Sequence, residues 1–186
     1  MDSSLLRRLF WFLNKFFMVP LFRLGLGSLV GNPFSGYIMV IKTTGRKTGK
    51  TRYTPVNYGI FKGDLYCMAG WGQLSDWYKN IQIDPKIEII HPDGPLAGIV
   101  EEISDPVKRI FLMRMVLKNA GFAGFFEGFN PFKVTDAELE QKLGNLSLLR
   151  IHPNGLGNGA ADPTGWLWIL GLVCSVLLIY LAIRFL

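Results

Sequence analysis

GYIMVIKTTGRKTGKTRYTPVNYGIF, residues 36–61, is the stretch on which the fold turns. β-Branched and aromatic residues crowd both ends; glycines and basic side chains fill the middle. Its centre invites comparison with a nucleotide-binding P-loop, G-x-x-x-x-G-K-[ST], set between a strand and a helix. The comparison fails twice. Gly45 and Gly49 stand one residue too close, and the continuation from Arg52 to Gly59 is aromatic, β-branched and carries Pro55. Such a segment reads as extended chain, not helix. The parse is therefore strand (Gly36–Thr44), turn (Gly45–Gly49) and returning strand (Lys50–Phe61). Glycines in a turn can offer successive N–H groups to an anion without a Cβ in the way. Arg46, Lys47, Lys50 and Arg52 add charge, arginine as a fork and lysine as a mobile point charge. A solvated basic hairpin tip is the reading that the pattern alone leaves equally open.

Charge is distributed in favour of a focused anion site. Through Gly63 the chain has ten Lys and Arg and a single acid, Asp2; the remainder has ten Lys and Arg and thirteen acids. That front-loading excludes a uniformly basic coat for nucleic acid, and no stacking array or reader motif accompanies it.

Downstream, Leu65 to Ala69 reads as a third strand after the Gly63-Asp64 turn. Gly70-Trp71-Gly72 makes a loop with close backbone approaches, and Ser75 or Asp76 caps a short helix to about Ile83, stopped by Asp84-Pro85. Lys86–His91 and Leu96–Ile103 pair across Pro92-Asp93-Gly94. Asp105-Pro106 opens a helix to about Lys118. The run from Ala120 to Phe132 holds five phenylalanines and three glycines, too irregular for one helix: an apolar ligand wall or a folded core loop. Thr135 to Glu138 carries capping-box chemistry, and Leu146–Ile151 is a last strand. Six strands with few helices indicate a mainly β fold with α, and a small barrel over a doubly wound sheet.

Both termini point to lipid. Trp166 to Ile183 is eighteen residues without a charge, behind a Gly/Pro-rich tether, His152 to Gly165. A helix there suits a C-terminal transmembrane anchor, with Trp166, Trp168 and Tyr180 at the interfaces and Arg184 reaching outward. Leu5 to Phe22 reads as an amphipathic helix, apolar side in lipid, with Arg7, Arg8, Asn14 and Lys15 toward headgroups and Pro20 ending or kinking it; a helix capping the domain core is the other reading. The basic domain is expected on the cytoplasmic side. Cys67 and Cys174 do not suggest a disulfide framework, and the sequon at Asn145 would be silent there. Catalytic motifs such as G-x-S-x-G, H-E-x-x-H and C-x-x-C are absent; His91 reads as a solvated turn residue and His152 as a linker-boundary one. No metal site is expected. Hard chemistry, if present, would come from an organic cofactor.

Thr44-Gly45-Arg46-Lys47-Thr48-Gly49, Arg52 with Pro55, Trp77-Tyr78-Lys79-Asn80 ahead of Pro85, and the terminal strand Leu146 to Pro153 together resemble the deazaflavin (F420)-dependent nitroreductase family. The resemblance covers roughly residues 34–153. It implies a split β-barrel, related to flavin-binding barrels, and coenzyme F420 as hydride donor. It further implies that Arg46, Lys47, Thr48, Gly49, Lys50 and Arg52 hold the anionic tail. Pro55 and Asn57 would line the path to the ring, Ala69, Gly70, Trp71 and Gly72 would lie beside it, and Trp77, Tyr78 and Asn80 would shape or support that wall. The expected layout is residues 1–33 as N-terminal helix and connector, 34–153 as barrel, 154–165 as linker and 166–186 as anchor. The acceptor is left among a membrane quinone, a nitro compound and an enone. An FMN enzyme on the same barrel, and a non-enzymatic membrane-associated binder of an apolar ligand or anionic lipid, are the competing readings.

Overall fold

The computed structural model describes residues 3–70, 72–144, 146–160 and 167–185. Trp71, the Asn145 of the sequon, Trp166 and part of the expected linker lie outside the described residues.

The opening hairpin forms as its sequence dictates. β1 (Ile38–Thr44) pairs antiparallel with β2 (Thr51–Phe61), from Ile38 opposite Asn57 to Thr44 opposite Thr51. β3 (Asp64–Ala69) follows across a two-residue turn whose members, Lys62 and Gly63, both take positive φ (53° and 86°), as the tight hairpin twist requires. β4 (Lys86–His91) and β5 (Gly94–Glu102) form the second hairpin, and β6 (Ser147–Leu156) lies between β3 and β5. The six strands close into an antiparallel barrel in the order β1-β2-β3-β6-β5-β4. Closure pairs every edge.

Side chains alternate across the wall. Met39, Ile41, Val56, Tyr58, Cys67, Ile89, Leu149 and Ile151 fill the interior. α3 (Asp76–Ile83) contributes Tyr78 and Ile81 to the same cluster. Outward-facing Tyr66, Met68 and Leu148 pack under α4 (Pro106–Asn119) and α5 (Asp136–Leu143). α4 is capped by the Asp105 carboxylate, which accepts from the Val107 and Lys108 N–H groups; α5 has the full Thr135–Glu138 capping box. Ser75 is the N-cap of α3, yet its side chain makes no capping bond.

The N-terminal helix departs from expectation. α1 (Ser3–Leu13) runs into a π-helical turn (Asn14–Met18) and on into α2 (Val19–Arg23), so Pro20 does not end it. The widened turn sits where a proline would otherwise lose a hydrogen bond and clash with the preceding turn. Phe22 of α2 is 2% exposed, packed with Val40 and Ile90 on the barrel's outer face.

At the other terminus, α6 (Leu167–Phe185) is apolar all round, and its side chains from Ile169 to Phe185 are exposed. The expected membrane span is not found: among the described residues no helix is long and apolar enough to cross a membrane. Nineteen residues rise about 28 Å, just under the roughly 30 Å hydrocarbon layer. The described part of the expected linker, up to Ala160, is less free than a tether. Glu88 accepts from the Asn158 N–H (3.2 Å) and side-chain amide (3.1 Å), and from Lys42 Nζ (2.7 Å). Lys42 also donates to the Gly159 carbonyl (3.1 Å), and Ala160 packs on the Phe22–Val40–Ile90 cluster.

Candidate active site

A cavity of about 1210 Å³ lies against the outer face of β2, where Tyr53, Pro55 and Asn57 project. One end is the β1–β2 turn, with Arg46, Lys47, Thr48 and Arg52. The far end is formed by Val116, Leu117, Ala120, Ala123, Gly124 and Phe126. Phe10, Trp11, Asn14, Lys15 and Val19 of the N-terminal helix roof it, and Gly70, Ser75, Asp76, Trp77 and Asn80 close the side.

The turn is built as a small ring of hydrogen bonds. The Gly45 N–H donates to the Lys50 carbonyl (2.9 Å), and the Thr48 and Gly49 N–H groups donate to the Gly45 carbonyl (3.0 and 2.8 Å). Gly49 takes a φ of +64°, where glycine carries no Cβ penalty. Lys47, Thr48, Lys50 and Arg52 are exposed.

Arg46 is different. Its Nη2 donates to the Asp76 carboxylate (2.8 Å), and its Nη1 to the Asp76 carbonyl and to Asn80 Oδ1 (both 3.2 Å). The Arg46 backbone N–H also donates to Asn80 Oδ1 (3.2 Å), and the Asn80 amide donates to Thr43 Oγ1 (3.3 Å). The side chain is 17% exposed, against 85% for Asp76. Arg46 therefore fastens the turn to the start of α3, leaving the exposed cations to face solvent. The Arg46 hydrogen bond holds the Asp76 carboxyl below the usual carboxylate range, with Lys79 and Lys47 adding to it.

Of the fifteen residues expected at the cofactor, Arg46, Lys47, Thr48, Arg52, Pro55, Asn57, Gly70, Trp77 and Asn80 border this one cavity. Gly49 and Lys50 complete the turn without lining it. Ala69 is fully buried in the barrel, Gly72 is buried behind the loop, and Trp71 lies outside the described residues. Tyr78 points away: its hydroxyl donates to Glu102 (2.8 Å) and accepts from Ser147 (3.0 Å) inside the barrel end. Burial raises the Tyr78 hydroxyl above its ordinary value; the Ser147 bond opposes that and Glu102 reinforces it.

Sequence reasoning left open whether the first helix caps the barrel, and assigned none of its residues to a cavity. Asn14 and Lys15 were expected to face headgroups, yet they line the cavity; Phe10 and Asn14, four apart on one helix face, were the available signal. His91 is also corrected. It is buried at the end of β4, its ring edge-on to Tyr58 at 5.0 Å, and Nδ1 accepts from the Asp93 N–H (3.3 Å). Burial lowers its pKa. His152 Nδ1 lies 2.7 Å from Asp64, which also receives Arg150 (2.7 Å). Burial alone would raise the Asp64 carboxyl; the His152 and Arg150 bonds outweigh it and keep it low. Neither histidine borders the cavity. Cys67 is fully buried, its thiol pushed to about 12, so it is no nucleophile. Among the described residues no cluster of His, Cys, Asp and Glu could hold a metal.

The donor set suits an elongated ligand with several negative charges at one end and a flat apolar body. Ligand pockets commonly measure about 300–1,000 Å³, so this cavity has room for such a cofactor and part of a second molecule.

A search of curated proteins returns no match. Solved structures share the chain tracing loosely. An F420 reductase is 17% identical over 70% of this chain and 94% of its own, with a TM-score of 0.45. An F420-H2 dependent reductase (FDR-A) is 23% identical over 63% and 93%, at 0.44, and a conserved hypothetical protein of Mycobacterium tuberculosis 15% over 69% and 86%, at 0.46. The model of the F420H(2)-dependent quinone reductase family matches residues 21–130, which takes in β1 to β5, the cationic turn and the whole aromatic end of the cavity. This chain belongs to that family of F420H2-dependent oxidoreductases.

Proposed function

We propose that this enzyme reduces a lipid-soluble quinone, at a membrane, with hydride drawn from reduced coenzyme F420. The observation that carries the reading is the continuity of one cavity from three cations of the turn, Arg46, Lys47 and Arg52, to a wall of aromatic and small apolar residues.

Lys47, Lys50 and Arg52 would hold the cofactor's anionic tail, with the turn glycines presenting backbone N–H groups and Arg46 fixing the turn that carries them. Pro55 and Asn57 would flank the ring, Gly70 would allow its close approach, and Trp77 would support that side. When bound, the reduced deazaflavin supplies the hydride. The chain's own contribution is alignment of donor and acceptor and exclusion of water. Val116, Leu117, Ala123 and Phe126 offer the acceptor an apolar surface, and Phe10 and Trp11 cover it. With its hydroxyl committed to Glu102 and Ser147, Tyr78 holds α3 in place and stays out of proton transfer.

We place the barrel on the cytoplasmic side, with the uncharged run Trp166 to Ile183 attaching it to the membrane short of a full crossing. In support, α6 exposes leucine, isoleucine and valine along its whole described length, and Arg184 donates to the Tyr180 hydroxyl (2.8 Å) at its end.

The test uses membranes from a host expressing the full chain. Quinone-dependent reoxidation of reduced F420 above an empty-host control is expected; equal rates overturn the reading. Titration with F420 and with FMN identifies the cofactor, and extraction of the chain by an alkaline carbonate wash overturns the anchor.

A further inference from the structure

We propose that α1, its π-helical turn and the phenylalanine-rich segment 122–132 form one docking face for an anionic lipid bilayer, set around the mouth of the cavity. The proposal rests on the membrane reading above and adds to it a surface, an orientation and a route for the acceptor.

The N-terminal helix is inside out. Phe10 and Asn14 turn toward the protein and roof the cavity, while Trp11, 58% exposed, and the exposed Lys15 border it from the rim. Leu9, Phe12, Leu13, Phe16 and Phe17 turn the other way and are exposed, Phe16 and Phe17 by about half. A helix covering a water-soluble barrel buries its apolar side. This one shows that side to its surroundings.

The second strip meets the N-terminal helix through Phe10. Phe10 meets Phe126 edge-on at 5.6 Å, Phe126 meets Phe122 at 5.8 Å, and Phe122 meets Phe34 at 5.9 Å. Phe125 and Phe132 pair beyond them at 6.5 Å. All but Phe10 are exposed, Phe34 by 78% and Phe132 by 61%. An apolar surface of this extent marks an interaction site.

Charge decides for lipid. From Ser3 to Gly63 the chain has no acid. Arg8 stands in α1 and Lys15 in the π-helical turn, and Lys118 Nζ lies 5.8 Å from the Phe132 ring. Aromatic rings with cations at their rim match the boundary between acyl chains and anionic headgroups. Ala160, the last described residue before α6, packs on the Phe22 cluster that seats α2, so the chain reaches residue 160 on the patch that also seats the N-terminal helix. Docked this way, the cavity mouth opens into the bilayer, and an apolar acceptor enters without crossing water.

The experiment uses full-length chain with Cys174→Ser, in which buried Cys67 stays unreactive. Single cysteines replace Phe12, Phe125, Phe132 or, as a control near the far end of α4, Val107. Each carries a fluorophore and is reconstituted with vesicles of phosphatidylglycerol and phosphatidylcholine. Labels at 12, 125 and 132 are expected to be quenched by lipid-borne nitroxide and shielded from iodide, with the reverse at 107. Shielding should weaken in vesicles of phosphatidylcholine alone. If the chain floats with vesicles while labels at 125 and 132 meet iodide as freely as 107, the docking face is overturned and the anchor stands. If it does not float, both fall. Equal shielding in uncharged vesicles overturns the anionic preference.

Discussion

The two ends of the cavity are held in opposite ways. At the turn, hydrogen bonds do the holding: Arg46, Asp76, Asn80 and Thr43 form a connected set, and the exposed cations stand on it. At the aromatic end, backbone packs on backbone. The Phe122 N–H donates to the Phe34 carbonyl (2.9 Å), and Gly121, at a φ of +58°, sits so close that a Cβ would come within 2.3 Å of that carbonyl oxygen. A charged ligand end needs donors that are already positioned. An apolar one needs only shape and dryness. The difference makes the two ends separable by mutation.

The largest effect is expected from Gly121→Ala. The positive φ costs about 1 kcal/mol and the backbone collision about 2 kcal/mol more. Gly128 also has positive φ (80°), but nothing lies within 4 Å of its missing Cβ, so Gly128→Ala should cost only the first part. Urea denaturation of the two variants measures the gap; equal midpoints would mean that the aromatic end yields where the structure has it tight.

Next comes the removal of exposed charge. Lys47→Ala with Arg52→Ala should leave urea stability unchanged and weaken F420 binding roughly thirtyfold, at about 1 kcal/mol per solvated charge-assisted contact. The loss should shrink with added salt. A change in folding stability instead would place these cations in the clamp with Arg46.

Phe126→Ala probes the other end alone. Losing a half-buried ring should raise KM for a lipid-soluble quinone roughly tenfold, about 1.4 kcal/mol, and leave the F420 dissociation constant where it was. Parallel losses in both would show that the ends do not act separately.

How much of this was legible follows from the same contrast. The six strands and their hairpins are local: β-branched runs ending at Gly45, Gly63 and Pro92-Asp93 announce themselves, and the pattern of Asp105-Pro106 and Thr135–Glu138 marks two helix starts. The insertion of β6 between β3 and β5 is not local, since it joins Leu65 to Ile151 and Val100 to the same residue. The cationic turn was legible because its charges are contiguous. The fate of Arg46 was not, because Asp76 and Asn80 lie thirty residues and more away. Amphipathicity of the first helix was plain from its spacing; which side meets the barrel depends on the cavity that it covers, and a repeat of apolar residues cannot specify that. Pro20 does not end the helix for a local reason, because a π turn ahead of it absorbs the ring.

The smallest effect tests the clamp itself. Asp76 puts a negative charge beside the cations that an anionic ligand needs, and it does so through the guanidinium that braces the turn. Its carboxyl is held below the ordinary range, first by the Arg46 hydrogen bond. A carboxylate depressed on folding adds stability that is fully present above its unfolded-state value and is lost as pH falls through the lower folded-state value. At neutral pH the ion pair is therefore intact, and Asp76→Asn removes the charge while an amide oxygen can still accept from Arg46. Because Asp76 is 85% exposed, solvent screens the pair and the stability cost should stay under about 1 kcal/mol. Affinity for F420 should rise severalfold, equally across the neutral range, and the gain should disappear in high salt. A weaker cofactor complex in Asp76→Asn would show that the ligand reads the position of the turn more than its charge, and the division between a braced scaffold and free cations would have to be redrawn.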